Sequence, residues 1–282
     1  DGSYEAIDWD TAIREIAQKF KAIRDTHGGE SILYFGGANQ GSHLGGTYGD
    51  STQKALGVQY RSNALAQEKT GEFWVAGKML TTGAHGDFEH CEVAVFVGKN
   101  PWHSHGFART RVILRDIQKD PNRSLIVIDP RRTETAEMAD LYLPIRPGSD
   151  VALFHGLLHV MVREGLIDRD YIARHTTGFE ALEAAVMAQP AQAYADICGI
   201  PLADLEQAAR WMGGHTPTLS LYCQGLNQST AGTDKNATLI ALHLATGQIG
   251  APGAGPFSLT GQPNAMGGRE VGGMANLLRA HR

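Results

Sequence analysis

Five consecutive apolar residues, Val93-Ala94-Val95-Phe96-Val97, lead directly into the loop residues Gly98-Lys99-Asn100-Pro101. A short apolar run that ends in such a loop is typical of a strand buried on both faces, as in a parallel sheet. Two further runs have the same form, Ile32-Leu33-Tyr34-Phe35 and Leu125-Ile126-Val127-Ile128. The sequence therefore predicts several buried strands.

Helical patterns separate and follow these apolar runs. After Asp8 or Asp10 as N-cap, apolar residues recur at helical spacing until Gly28. We further predict helices over residues 104–119, 150–164, 168–175, 179–188, 202–212 and 235–246, strands over 141–145 and 219–222, and a mostly irregular tail from residue 250. Apolar runs that alternate with helices predict an α/β fold whose mostly parallel sheet is covered on both faces.

The composition limits the possible classes of function. A chain of 282 residues suggests roughly two domains. Its net charge of −5, with no basic run longer than Arg131-Arg132, argues against nucleic-acid binding. No apolar stretch reaches the roughly 18 residues that a membrane-spanning helix needs. The three cysteines have no Cys-x-x-Cys spacing, which predicts neither a disulfide framework nor an iron–sulfur or zinc site, and a cytoplasmic location is expected.

The loops after the apolar runs carry the candidate ligand-binding residues. Ligands of open parallel sheets bind at the carboxyl ends of the strands, and these loops are rich in Gly, Asn, Asp and Arg. They contain neither the Gly-x-Gly-x-x-Gly pattern of a simple NAD site nor a P-loop. Asp129 and Asp150 each follow a predicted strand or begin a predicted helix. A carboxylate there can accept two donors from a guanine or a ribose, or it can serve only as a cap or turn residue.

The order of the motifs resembles a known family. The motifs are Val97-Gly98-Lys99-Asn100-Pro101, Ile128 to Ala136, Arg146 to Asp150, Tyr222 to Gln228 and Thr260 to Glu270. In this order they resemble the molybdopterin oxidoreductases of the dimethyl sulfoxide reductase family over nearly the whole chain. The resemblance implies two Rossmann-like, doubly wound α/β domains with mostly parallel sheets, one inserted in the other. Residues 1–61 would begin one domain, which resumes near 262–282, and residues 62–261 would form the inserted one.

The resemblance also implies a cofactor and its binding residues. The cofactor would be molybdenum held by two molybdopterin guanine dinucleotides. The resemblance implies that Gly98 and Asn100 contact phosphate, and that Asp129 and Arg131 contact ribose and phosphate. Gly148 and Asp150 would contact guanine. The pterin and the metal site would be contacted by Gly225, Asn227, Gln228, Gln262 and Asn264. The family usually supplies a metal ligand where this chain has Ala66. The implied alternatives are a metal without a side-chain ligand there, or ligation by Glu68 or another nearby residue.

The substrate expectation depends on the late motif. Thr260-Gly261-Gln262-Pro263-Asn264 is similar to assimilatory and periplasmic nitrate reductases, and formate dehydrogenases of the family carry Arg where this chain has Thr260. We therefore expect two-electron reduction of a small oxyanion such as nitrate, with Thr260, Gln262 and Asn264 at the catalytic site. The alternatives are formate oxidation and a non-catalytic cofactor-binding fragment. The resemblance further implies an electron-transfer partner, and a 4Fe–4S cluster in an N-terminal part outside this chain.

Overall fold

The structure is a computed structural model, and it describes residues 2–35, 43–62, 70–80, 86–104 and 109–259. The chain divides into two compact units, Asp1–Gln67 with Asn264–Arg282, and Glu68–Pro263. The domain limits expected near residues 61 and 262 stay a prediction. Within the described ranges, no helix has the length and apolar character needed to cross a membrane.

In the described part of the first unit, two α-helices accompany a pair of short strands. Helix α1 (Trp9–His27) begins after Asp8, whose carboxylate accepts a hydrogen bond from the backbone N–H of Thr11 at 2.8 Å. This cap satisfies a donor that the first helical turn would otherwise leave free. The remaining elements are β1 (Leu33–Phe35), α2 (His43–Leu56) and β2 (Tyr60–Ser62), and β2 pairs in parallel with β1.

The second unit alternates helices and strands. In chain order its elements are α3 (Thr70–Met79), β3 (Val93–Val97), α4 (Thr110–Lys119), β4 (Ser124–Ile128), β5 (Leu141–Leu143), α5 (Asp150–Arg163), α6 (Arg169–His175), α7 (Phe179–Met187), α8 (Ala191–Cys198), α9 (Leu202–Met212), β6 (Thr218–Tyr222), α10 (Gln224–Asn227), α11 (Gly232–Ala245) and β7 (Gly255–Ser258). Strands β3 and β6 are buried along their whole length. This burial explains why the sequence of β3 is a continuous apolar run, and β6 buries the polar residues Thr218 and Ser220 along with its apolar ones.

The five strands β3 to β7 form one parallel sheet in the order β5-β4-β3-β6-β7. From β3 the chain builds outward through β4 to β5, and it then returns to the other side of β3 with β6. The chain therefore adds β4 and β5 on one side of β3 and β6 and β7 on the other, while all five strands stay parallel. Such a switch point leaves a crevice at the carboxyl ends of the two strands, because their following loops turn to opposite sides. The α/β class and the parallel sheet predicted from the sequence are confirmed.

Several element predictions need correction. Helix α4 begins at Thr110 and not at residue 104, because Arg109 has a left-handed backbone with φ of +58°, which a continuous helix cannot include. Helix α8 was not predicted, although Pro190 and Gly199 flank it as typical helix boundaries. The tail predicted to be mostly irregular contains β7, which pairs with β6 and is an edge strand among the described residues. Pro256 fits there because an edge strand has backbone positions without a ladder partner.

Candidate functional site

The sheet brings the loops expected to bind a ligand to one edge. The register aligns the last residues of neighbouring strands in a single row, Leu143, Ile128, Val97, Tyr222 and Ser258. The segments that follow β4, β3 and β6, which contain Asp129, Gly98 and Gly225, therefore begin side by side. The β3 loop is also tied to β4, since the N–H of Gly98 donates to the carbonyl of Ile128 at 2.8 Å.

Two glycines, Gly98 in the loop after β3 and Gly225 in the short helix α10 after β6, meet at the switch point. Gly98 has a φ of +56°, and a Cβ added to it would lie 2.7 Å from the Cα of Gly225. A Cβ added to Gly225 would lie 2.5 Å from the Cα of Gly98 and 2.6 Å from its carbonyl oxygen. No side chain fits between backbones this close. The two glycines thus form a backbone-lined floor of the kind that lets a bulky phosphate group approach the main chain.

A hydrogen-bonded clamp joins the β3 loop to the loop after β4. The Asn100 side chain donates to Glu134 Oε2 at 3.0 Å and accepts from the Thr135 hydroxyl at 2.7 Å. The hydroxyl of Thr135, which is fully buried, also accepts the N–H of Trp102 at 3.3 Å. The amide of Asn100, expected from the sequence to line a phosphate loop, therefore fixes the shape of that loop.

Glu134 is strongly acidic in this clamp. Its second oxygen, Oε1, lies 2.8 Å from Nε2 of His103. Hydrogen bonds from its own backbone N–H, from His103 and from Asn100 hold the pKa of Glu134 at about 2. The carboxylate therefore stays ionised throughout the physiological pH range and keeps its hydrogen bonds to the β3 loop.

The Asp129 loop presents an exposed basic residue beside a local turn. The carboxylate of Asp129 accepts the backbone N–H of Arg131 at 2.9 Å, an Asx turn that sets the direction in which the loop leaves β4. The side chain of Arg131 is exposed at the same edge. The structure thus shows Asp129 as a turn residue, and the contact of its second oxygen with a ligand stays a prediction.

Gly148 and Asp150 lie where the β5 loop enters α5. Gly148 has a φ of +87°, and a Cβ added there would meet nothing within 4 Å, so the space beside it is open. Asp150 is buried as the first residue of α5, and its Oδ2 lies 2.8 Å from Nζ of Lys235 on α11. Within the described ranges the other oxygen, Oδ1, receives no hydrogen bond.

The loop after β6 contains a buried amide network. The Asn227 side chain donates to Glu72 Oε2 at 2.6 Å and accepts from the Asn236 amide at 2.9 Å. Next to Gly225, the buried Oε1 of Gln224 has no hydrogen-bond partner among the described residues. Gln228 is exposed. The side chain of Asn227, expected to face a pterin, is therefore engaged with α3 and α11, and Gln224 holds a buried acceptor without a partner among the described residues.

Some expected residues lie outside the described part of the chain. These are Thr260, Gln262 and Asn264 of the predicted catalytic motif, together with Ala66 and Glu68 at the expected metal-ligand segment. Within the described ranges, no group of three His, Cys, Asp or Glu side chains could hold a metal ion.

Sequence reasoning missed three functional candidates. Thr135 and Gln224 stand inside motifs already singled out, so their neighbours could have pointed to them. Lys235 had no such signal, because a lysine in a helix is usually exposed and nothing local tells which carboxylate it meets.

The sheet order and the glycine-lined crevice at its switch point place the second unit in the class of Rossmann-type α/β modules. The chain itself belongs to the molybdopterin oxidoreductase family, whose model it matches over residues 1–279.

Comparison with individual proteins agrees with this assignment. A nitrate reductase of Synechocystis sp. is 37% identical over all of this chain and 40% of its own length. The alpha subunit of an F420-dependent formate dehydrogenase of Methanocaldococcus jannaschii is 29% identical, over 96% of this chain and 40% of its length. The acetylene hydratase from Pelobacter acetylenicus has a similar structure, with a TM-score of 0.70 and 28% identity over 88% of this chain and 34% of that one. The chain thus spans less than half the length of these relatives.

Proposed function

We propose that the chain is the cofactor-binding part of a molybdenum-dependent oxidoreductase that holds a bis(molybdopterin guanine dinucleotide) and reduces a small oxyanion, nitrate in the first place. The observation that carries the proposal is the backbone contact between Gly98 and Gly225 at the switch point. The family implies a molybdenum–pterin cofactor, and a crevice floored by two glycines is a cradle for the diphosphate of its dinucleotide form.

The described residues fit such a group. The Gly98 loop and Gly225 would accept the diphosphate, and the exposed Arg131 would neutralise part of its charge. Asp129 would accept ribose hydroxyls with the oxygen its Asx turn leaves available. Gly148 leaves open space beside Asp150, whose carboxylate would accept the N–H donors of guanine. The free Oε1 of Gln224 would accept a donor from the ligand.

When bound, the molybdenum supplies the two-electron transfer, and the protein contributes position and electrostatics. We assign Thr260, Gln262 and Asn264 to the substrate side of the metal. The choice of nitrate is supported by the similarity to nitrate reductases, such as that of Synechocystis sp.. Formate oxidation is the second candidate, since formate dehydrogenase alpha subunits are also similar to the chain. A cofactor-binding fragment without activity is the third, because Ala66 supplies no ligand atom.

Further parts of the proposal concern the parent protein. Electrons would come from a partner protein or domain, by way of a 4Fe–4S cluster outside this chain. A cytoplasmic location stays a prediction.

The test uses the full-length parent protein. Molybdenum and acid-released GMP are quantified first, and a ratio of two GMP per molybdenum is expected for the bis-dinucleotide form. Nitrate reduction with reduced viologen is then compared with formate-dependent dye reduction. Nitrate turnover supports the first candidate, formate turnover replaces it with the second, and bound metal without either activity supports the third. Absence of both molybdenum and GMP refutes the proposal.

A matched pair of variants tests the guanine contact. Asp150→Asn is expected to lower GMP retention about tenfold or more, since it removes a charged acceptor. Asp168→Asn is the control, because Asp168 also begins a helix but its carboxylate caps α6 through the N–H of Tyr171. Equal retention in both variants would remove Asp150 from the site.

A further inference from the structure

A buried lysine faces the carboxylate at the start of α5. Lys235 lies in the first turn of α11, its side chain is 6% exposed, and its Nζ lies 2.8 Å from Oδ2 of Asp150, whose side chain is 11% exposed. Lysine is almost never buried to this degree unless it is paired. The pair therefore forms at the cost of removing two charges from water.

Packing alone gives a poor account of this pair. A buried ion pair is frequently no more stable than apolar residues of the same volume, so stability does not explain why it is there. The pair also leaves Asp150 incomplete, because Oδ1 receives no hydrogen bond from the described residues. A buried carboxylate with one oxygen fixed and the other free is prepared to accept a further donor.

Other nearby charged and titratable groups do not take the place of Lys235. The Arg146 guanidinium donates to the backbone carbonyls of Asp196 and Ile197, which directs it along α8. The Cys198 thiol donates to the carbonyl of Ser149, and burial raises the pKa of that thiol, so it stays neutral. Lys235 is therefore the cation paired with Asp150 within the described structure.

We propose that Lys235 is a positioning residue that holds the Asp150 carboxylate in a fixed orientation, and that it thereby makes the site selective for guanine over other purines. The inference rests on the proposed function, in which Asp150 receives the guanine. Guanine presents two adjacent donors, N1–H and the 2-amino group, to a carboxylate. Adenine presents an acceptor at N1, which an ionised carboxylate repels, and hypoxanthine lacks the 2-amino donor. A carboxylate whose orientation is not fixed would distinguish these donor and acceptor patterns less well.

The experiment measures nucleotide binding by the full chain with isothermal titration calorimetry, using GMP, IMP and AMP as probes. Lys235→Met removes the charge at nearly constant length, and it is expected to weaken GMP binding about tenfold and to reduce the preference for GMP over AMP by a similar factor. Lys235→Arg retains the charge and is expected to restore most of the preference. A structural role alone would leave the ratio of GMP to AMP affinity unchanged.

The outcomes distinguish a failure of the guanine-dinucleotide function from a failure of the role proposed for Lys235. A wild-type chain that does not prefer GMP refutes the guanine-dinucleotide function before any variant is measured. A wild-type chain that prefers GMP, with a folded Lys235→Met that keeps the same preference, overturns only the role of Lys235. If Lys235→Met does not fold by circular dichroism, Lys235→Gln is judged on the same ratio. If neither neutral variant folds, the pair serves stability and the proposal is overturned.

Discussion

Substitution of Gly225 by alanine tests the contact on which the crevice depends. The added Cβ would lie 2.5 Å from the Cα of Gly98 and 2.6 Å from its carbonyl oxygen. Carbon atoms pack best at about 3.5–4.0 Å, so the two loops would have to separate by about 1 Å. Both obstructing atoms belong to the backbone, and they cannot move aside by a change of rotamer.

The expected effect of Gly225→Ala on stability is large for a single methyl group. Overpacking of this kind costs about 1–3 kcal/mol, and we expect about 3 kcal/mol because the backbone resists on both sides. For a unit of this size, that corresponds to a decrease in Tm of about 6–12 °C. The same separation would open the floor of the crevice, so retention of the dinucleotide is expected to fall as well.

The assay combines urea unfolding, followed by circular dichroism, with measurement of retained GMP. Gly77→Ala is the matched control, because Gly77 lies inside α3 and a Cβ added there meets nothing within 4 Å. The free energy of unfolding of Gly77→Ala should rise by about 0.5–1 kcal/mol, because alanine is favoured over glycine in a helix. A Gly225→Ala protein with the stability and GMP content of the wild type would refute the contact and the cradle argued from it.

Three further predictions concern the clamp, a buried histidine and the inserted unit. Thr135→Val removes the hydroxyl that bonds to Asn100 and Trp102, and should cost about 1–3 kcal/mol in urea unfolding, since buried partners lose their bonds; an unchanged midpoint would contradict the clamp. Burial lowers the pKa of His243 to about 3 from its ordinary 6.5. As the pH falls, the unfolded chain therefore binds the proton before the folded one does. The contribution of neutral His243 to the free energy of unfolding is fully present above pH 6.5 and is lost as the pH falls towards 3. Within that window, the free energy of unfolding of the wild type should fall by about 1.4 kcal/mol per pH unit relative to that of His243→Leu. Urea midpoints of the two proteins that change in parallel between about pH 7 and 4.5 would exclude this. Residues 62–261 expressed alone should unfold in one cooperative transition, and a gradual loss of signal would argue against an independent domain.

Local sequence predicts the parts of the fold that have a strong local pattern. Strands β3 and β4 are found as continuous apolar runs because helices cover both faces of the sheet. Strand β7 was missed because Gly255-Pro256-Phe257-Ser258 has no such run, and its pairing with β6 comes from tertiary context. Helix α8 was missed although its buried residues Ala191, Tyr194, Ala195 and Cys198 recur at helical spacing and Pro190 and Gly199 mark its limits.

The same limit applies to the site. The loops of Gly98, Asp129 and Gly225 could be named from their places after strands, and the parallel sheet brings them to one edge. Their partners could not be named, because the bonds of Asn100 to Thr135 and of Asp150 to Lys235 join residues far apart in the chain. Such pairs depend on how the helices and loops pack, which no local pattern specifies.

After β5 the chain returns to the other side of β3, and this has a consequence for the order of folding. Strands β3, β4 and β5 with helix α4 are contiguous in sequence, so their contacts are of short range and form early. Strand β6 joins β3 only after five helices have been added, and Gly225 follows it. During synthesis, β3 and the loop at Gly98 are therefore expected to lie at an unpaired sheet edge until β6 pairs with β3. Because the crevice is complete only when β6 pairs with β3, we expect its ligand to bind after that pairing and not to template the pairing of β3, β4 and β5.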